Sequence, residues 1–494
     1  MKGEIFRRMS MEIIKDVGVQ SNNPIKKDIK KENREEEDDY LVKTIGAFGL
    51  WQGVVTATVL TSRCIATWNT MSLSFLTPSV EFICVEFSDN ITTEVENSTC
   101  YDSCLKYNYS SAIGRSIIED FGLICQNAWL ASFAQTILML AALIGVWLFG
   151  WISDRLGRRV ALLLSTFMNA VFMIVLPFSP TYIIFISVRA VIGIATGGSL
   201  LIGLIIMVEI IGKRQRDIAG ACILIPDGLA QASLAGFAYF TSNWQSYTLS
   251  YGVVTCIFFI FILFVPESPR WLLANGKVDE AIKVITRAAI RNKLDTTNIK
   301  PEIIKALDDL KLKQDDIVKT SYLDFFKSKA LFILTLTLFI VWFAFGMCIY
   351  GIFQYVTIIG FDIYITVVIL GLIEIPIVPV AIIINQRFKR RISTIGTVIG
   401  LATTMLIIIF LPKSSWLVTL FGALGFIFCN ICFTVSCIHV SELYPTPLRN
   451  MGYGLASGGA KVGAMIAPFI ANLTPRWLPS LVFCIFAVVT AVLC

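Results

Sequence analysis

GWISDRLGRR, Gly150 to Arg159, lies between two long apolar segments, and its reading decides the fold. It sets Asp154, Arg155, Arg158, Arg159 and a second glycine, Gly157, in a turn too short to leave a membrane surface, so the two flanking helices are held together there. Arginines gathered in a short loop mark the cytoplasmic face of a membrane protein. The composition agrees, with 56% hydrophobic residues, 15% charged and a mean hydropathy of +0.73 over 494 residues. Soluble domains are only about 45 to 50% apolar. A soluble enzyme is therefore excluded, and the chain reads as an all-α, polytopic membrane protein. In a soluble chain the net charge of +6 would suggest nucleic acid. Here the basic residues fall in short loops between apolar spans, so they report orientation and imply no nucleic-acid partner.

Residues 1 to 42, with the run KKDIKKENREEEDD, read as a solvated tail without the features of a cleavable signal. The first span is expected from Lys43 to Leu76, ample for the roughly 20 residues that cross a bilayer, with Arg63 near its middle. Pro78 to Asn127 is the longest polar insertion between spans. It holds sequons at Asn90, Asn97 and Asn108 and an even set of cysteines, Cys84, Cys100, Cys104 and Cys125, which together place it outside the cell. Two disulfides are expected there, in any of three pairings. The sequon at Asn472 lies against the membrane before Pro475 and is expected to stay unused.

Further spans are expected at about 129 to 149, 160 to 179, 182 to 209, 218 to 240 and 246 to 265, joined by loops that alternate between uncharged and basic. From Asn275 to Ser328 the chain turns polar, and KVDEAIKVITRAAI and PEIIKALDDLK carry helical periodicity. Six more spans follow near 331 to 355, 363 to 385, 394 to 411, 416 to 440, 451 to 472 and 478 to 494; the last is short, which puts any carboxyl-terminal tail beyond this chain. The expected organisation is a cytoplasmic tail (1–42), a six-helix half (43–265) with its external loop at 78–127, a cytoplasmic helical linker (266–330) and a second six-helix half (331–494). Such a chain is multi-pass in the plasma membrane, with both termini cytoplasmic.

The halves repeat. Asp154, Arg158 and Arg159 recur as Asn385, Arg390 and Arg391, and Glu209 with Arg216 recurs as Glu442 with Arg449, at offsets of 231 to 233 residues. Parallel six-helix repeats place a substrate site between them near the membrane midplane and transport by rocking one half against the other. Glu209, Arg216, Glu442 and Arg449 bracket cytoplasmic ends of spans, where with Asp154 and Arg158 they form a gate that breaks on opening. The alternative is that these charges only anchor helices at the headgroups.

The spacing Gly-x-x-x-Asp-Arg-x-Gly-Arg-Arg resembles the loop signature of the major facilitator superfamily. PESPRWLL (Pro266 to Leu273), SELYPTPLRNMG (Ser441 to Gly452), NAW after Cys125, the cysteine-bearing first loop and EIP (Glu374 to Pro376) resemble its organic cation, organic anion and carnitine branch, the solute carrier family 22-like transporters. RFKRR departs from the pattern, with Lys389 where the family usually has Gly. The resemblance implies a major facilitator fold of 12 transmembrane helices in two six-helix halves. It also implies secondary transport of small organic ions by alternating access. No Gly-Lys-Ser/Thr phosphate loop is present, so direct ATP drive is not expected.

Charges inside spans are costly and usually face a cavity or a partner; the candidates are Arg63, Arg189, Asp227, Glu374 and Lys461. Arg189 opens R-x-x-x-G-x-x-x-G with Gly193 and Gly197 and reads as structural. Asp227 either pairs with it or binds a proton. Lys461, in GLASGGAKVGAMIAP, falls where the family's cation carriers tend to have Asp and its anion and carnitine carriers a basic residue. Glu374 matches an acidic position of cation and carnitine carriers, and Val378 stands where anion carriers are basic. A site with Lys461 and Arg63 on one side and Glu374 on the other suits a zwitterion; the alternative pairs Lys461 with Glu374 alone. Trp342 and Tyr350 match aromatic positions of the family motif WF...YYG, with Ile349 departing from it. Their ring faces would hold a quaternary ammonium.

The expected substrates are organic cations or zwitterions such as carnitine; an organic anion transporter or a non-transporting receptor or scaffold are the alternatives. No enzyme is expected, because no nucleophile has a base beside it. Cys429 and Cys432 read as packing inside an apolar helix, and the single His439 rules out a multi-histidine metal site. Neither metal nor cofactor is expected. The partners are the organic ion, membrane lipid and a coupling ion, Na+ or H+, that the residues do not choose between.

Overall fold

The computed structural model describes residues 40–87, 96–111, 114–212, 224–297, 299–304, 325, 328–412, 415–444 and 448–493. Twelve helices carry the fold: α1 (Leu50–Met71), α2 (Trp129–Leu156), α3 (Arg158–Val175), α4 (Tyr182–Ile210), α5 (Leu224–Tyr239), α6 (Trp244–Ile262), α7 (Lys329–Ile359), α8 (Ile363–Arg387), α9 (Arg390–Ile409), α10 (Trp416–Leu443), α11 (Arg449–Ala471) and α12 (Trp477–Leu493). Among the described residues nine are long and apolar enough to cross a membrane. Of the other three, α1 is diluted by Gln52, Arg63 and five scattered threonines, α5 begins where the described chain resumes, and α12 has 17 residues.

The first span starts later than its apolar pattern predicts. A short helix, Tyr40–Ile45, ends at Gly46 with φ +81, and α1 begins at Leu50. Gln52 fixes the corner by accepting the Gly49 N–H at 3.1 Å and donating to the Gly46 carbonyl at 3.0 Å. Against it packs the linker helix Val278–Arg291, which buries Ala281, Ile285, Ala288 and Ala289 beside Leu41, Ile45 and Trp51. Asn292 locks the contact, accepting the Trp51 N–H at 2.8 Å and donating to the Ile45 carbonyl at 2.7 Å. Of the second periodic stretch, PEIIKALDDLK, only residues to 304 are described.

The insertion after α1 is more regular than its polarity suggests. Strands β1 (Val80–Phe87) and β2 (Cys104–Ser111) pair antiparallel, with Ile83 opposite Asn108 and Phe82 edge-on to Tyr107. Of the three pairings, Cys84–Cys104 and Cys100–Cys125 form, joining the strands to each other and the loop to the start of α2. Asn97 and Asn108 are exposed, and Asn90 lies outside the described residues.

The halves meet along α2–α11 and α5–α8. Toward the end of the bundle that carries the disulfide loop, Thr136 donates to the Met465 carbonyl at 2.7 Å, Ser132 to Pro468 at 3.3 Å and Thr357 to Ser74 at 3.4 Å. The Asn472 side chain is engaged in the same seam, donating to Ser132 at 3.1 Å. At mid-depth the backbones of α5 and α8 nearly touch, since a Cβ on Gly228 would lie 2.5 Å from the Gly371 carbonyl.

Candidate functional site

Four helices bring charge and aromatic side chains together at this seam. From α1, Arg63 forms an ion pair with Asp227 of α5, and Thr67 donates to the other Asp227 oxygen at 2.8 Å. From α8, Glu374 enters beside them where α8 crosses α5; a Cβ on Gly228 would lie 3.0 Å from the Glu374 Cβ. The two glycines Gly228 and Gly371 thus let the helices approach until Glu374 as a residue is only 6% exposed. Asp227 and Arg63 act on Glu374 electrostatically, and Tyr350 of α7 acts on Arg63. Among the described residues no donor hydrogen-bonds to Glu374.

Lys461 stands apart. α11 turns Gly459, Ala460 and Gly463 to α7 and Met465 and Pro468 to α2, and Lys461 lies one turn before Met465. It is half-buried and pairs with no carboxylate among the described residues. The alternative reading, in which Lys461 pairs with Glu374 alone, is therefore not what the described residues show.

At the opposite end of the bundle, the GWISDRLGRR turn is built jointly with PESPRWLL. Gly157 turns at φ +111 and offers α3 no capping side chain. Glu267 replaces it, its Oε1 accepting the N–H groups of Arg158 at 2.9 Å and Arg159 at 3.1 Å. A carboxylate at a helix N-terminus satisfies orphan donors and complements the helix dipole. Trp271 donates to the Asp154 carbonyl at 3.1 Å and Arg270 to that of Glu209 at 2.9 Å. Arg158 bridges Asp154 at 2.5 Å and Glu209 at 3.2 Å. Of the expected gate, Asp154, Arg158 and Glu209 are thus together; Arg216 and the side chains of Glu442 and Arg449 lie outside the described residues. Glu267 was in a motif visible in the sequence, but nothing there shows what it caps.

Over residues 54–494 the chain matches the sugar (and other) transporter family. It is 32% identical over 376 residues to solute carrier family 22 member 3 of Mus musculus, covering 75% of this chain and 67% of the relative. The chain belongs to the major facilitator superfamily, in its solute carrier family 22-like branch. Solute carrier family 22 member 13 of Homo sapiens is 30% identical over 77% of this chain and 68% of its own. Organic cation/carnitine transporter 4 of Arabidopsis thaliana is 29% identical over 94% and 89%. The inward-open xylose transporter XylE from E. coli superposes with a TM-score of 0.64 at 15% identity, covering 89% of this chain and 95% of that one, which establishes the fold. This major facilitator is a multi-pass secondary transporter of a small-molecule substrate and not an enzyme.

Three placements in the transporter differ from the sequence expectation. Arg63 sits with Asp227 and Glu374 rather than beside Lys461, and it, not Arg189, is the partner of Asp227. Arg189, 2% exposed, donates to the Ala134 carbonyl at 3.2 Å and to Gln135 at 3.0 Å, while Gly193 and Gly197 press α4 against the α2 backbone. Trp342, 1% exposed, is held between Phe433 and Tyr453 with ring centroids 5.2 Å away, so it packs inside the second half. Tyr350 instead lines a small cavity in the seam with Thr70, Gln135, Gln354 and Pro468. Cys429 and Cys432 are buried in α10.

Proposed function

We propose that the transporter carries small organic cations and zwitterions by alternating access, with the cationic group at Glu374 and the carboxylate at Lys461. What supports this reading is one observation: a buried carboxylate on α8 and a half-buried ammonium on α11, neither paired to the other nor to a described side chain. A charge taken from water without a partner is costly, so each favours a ligand that supplies the opposite charge. A zwitterion supplies both, as in the organic cation/carnitine class named for one relative. Tyr350 adds an aromatic ring to the lining of the seam cavity.

Lys461→Asp tests the reading. At an effective dielectric of about 20, opposite charges near 4 Å attract by roughly 4 kcal/mol before desolvation. A net of about 1.4 kcal/mol is tenfold in affinity. Uptake of labelled carnitine by expressing cells should therefore fall about tenfold or more, while tetraethylammonium uptake rises. Lys461→Ala should lose the first without gaining the second. An unchanged substrate order in Lys461→Asp would remove Lys461 from the site and the preference for zwitterions with it.

In the same reading the GWISDRLGRR turn, the linker and both termini face the cytoplasm of a plasma-membrane carrier and the hairpin faces outward. Glycosidase should then shift the mobility of the protein, and Asn90→Gln, Asn97→Gln and Asn108→Gln together should abolish the shift. A shift that survives the triple change would contradict this placement.

A further inference from the structure

We propose that Gln231 of α5 is a recognition residue: its amide hydrogen-bonds a hydroxyl or carbonyl group of the substrate, so that the carrier selects oxygen-bearing ammonium compounds over plain alkylammonium ones. The inference rests on the reading that the cationic group binds at Glu374. Its basis is an amide that the fold buries and does not satisfy. Gln231 is 0% exposed, and both its Nε2 and its Oε1 lack a hydrogen-bond partner among the described residues. The other buried amides of the first half are each bonded. Gln52 holds the corner before α1, Asn69 donates to Asn169 and Thr196, Asn169 donates to the Ser165 carbonyl and Gln135 to that of Thr70. An unsatisfied buried amide costs stability that methionine or leucine of similar size would not. A ligand with an oxygen in reach removes that cost.

The position of Gln231 on α5 places it at the seam. Leu229, Gly236 and Phe240 are exposed on one face of the helix. On the other side Asp227 turns to α1, while Gly228 and Ala232 border α8. At about 100° per residue Gln231 falls between these two directions, in the wedge where α1 of one half and α8 of the other converge. Its depth follows from α1 and α5 rising in step. Thr67 meets Asp227, and Trp68 donates to the Ala230 carbonyl at 3.1 Å and to Ser233 at 2.9 Å. Gln231 therefore stands one turn beyond Asp227, toward the disulfide loop, and roughly 5 Å along the helix from Gly228, which marks the level of Glu374. A compound with its ammonium group against Glu374 reaches the amide with an oxygen a few bonds away. The amide both donates and accepts, so a hydroxyl or a carbonyl serves. Because α5 and α8 belong to different halves, rocking them apart at the loop end opens the wedge to the substrate. A site built around such a hydrogen bond discriminates against the analogue that lacks the oxygen.

The test is calorimetric titration of the purified full chain with choline and with n-propyltrimethylammonium, which has the same charge and nearly the same size but a methyl group in place of the hydroxyl. Choline should bind about three- to tenfold more tightly. In Gln231→Met that preference should vanish, with the affinity for n-propyltrimethylammonium kept or improved. The melting temperature of Gln231→Met in detergent should be unchanged or higher, because the variant removes an unsatisfied group at similar volume. Equal affinity of the two cations for the wild type overturns the role of Gln231 and leaves the cation site at Glu374 standing. A preference for choline that survives in Gln231→Met overturns the assignment to this residue. A Gln231→Met protein that melts markedly lower, or does not fold, shows an amide required by the fold and overturns it too. No binding of either cation at millimolar concentration overturns the cation site together with the inference.

Discussion

Asp227→Ala should destabilise the transporter by about 2 to 3 kcal/mol and abolish uptake, because it removes the carboxylate that pairs with Arg63 and accepts from Thr67. Breaking a buried pair by removing one partner typically costs about 3 to 5 kcal/mol. A value at or below the bottom of that range suits this pair, whose side chains are 25% and 16% exposed. Asp227→Asn should cost less, since its carbonyl can still accept from Thr67. The decisive measurement is a double-mutant cycle on melting temperature in detergent. Arg63→Ala with Asp227→Ala should recover much of the stability lost by either alone, with a coupling of about 1 to 3 kcal/mol. Strict additivity would mean that the two charges do not depend on each other.

Gly346→Val should have the largest effect of any single change in the second half. A Cβ at Gly346 would stand 1.9 Å from the Ala460 carbonyl, and one at Gly463 would stand 2.0 Å from that of Phe343. Both contacts are with backbone, so no rotamer change relieves them and α7 and α11 must separate. Small residues are what allow membrane helices to pack by close contact. Overpacking costs about 1 to 3 kcal/mol where side chains can adjust, and more is expected here. The variant should lose surface expression and its monodisperse peak on size-exclusion chromatography. Gly454→Ala and Gly458→Ala, where the added Cβ meets nothing, should behave like the wild type. A monodisperse, correctly trafficked Gly346→Val would contradict the α7–α11 spacing. The same separation would move Lys461, which α11 carries one residue beyond Ala460.

The hairpin shows where sequence reading ran short. Tyr107 and Tyr109 alternate with Lys106 and Asn108 in β2, a strand period, but six residues of it in a cysteine-rich loop carry little weight beside the surrounding spans. Trp342 shows the opposite failure. A motif aromatic mid-span reads equally as ligand or core, and only Phe433 and Tyr453, from two other helices, close around it.

By itself the sequence determined the class, the family, the two halves and most span positions. Those follow from properties local to each segment: an apolar length matched to the bilayer, charge on alternate loops and short motifs at turns. It also singled out Arg63, Asp227, Glu374 and Lys461, because a charge within an apolar span is conspicuous whatever surrounds it. Only the tertiary structure decided their partners. Arg63 meets Asp227 across 164 positions of chain, and Glu267 caps a helix that begins 109 positions before it. The disulfide pairing, Trp342 and the start of α1 at Leu50, held by Asn292 of the linker, were settled in the same way. Helix packing sets which side chains face each other, and Gly228 and Gly371 bring α5 and α8 close enough to place Glu374 beside the ion pair of Arg63 and Asp227.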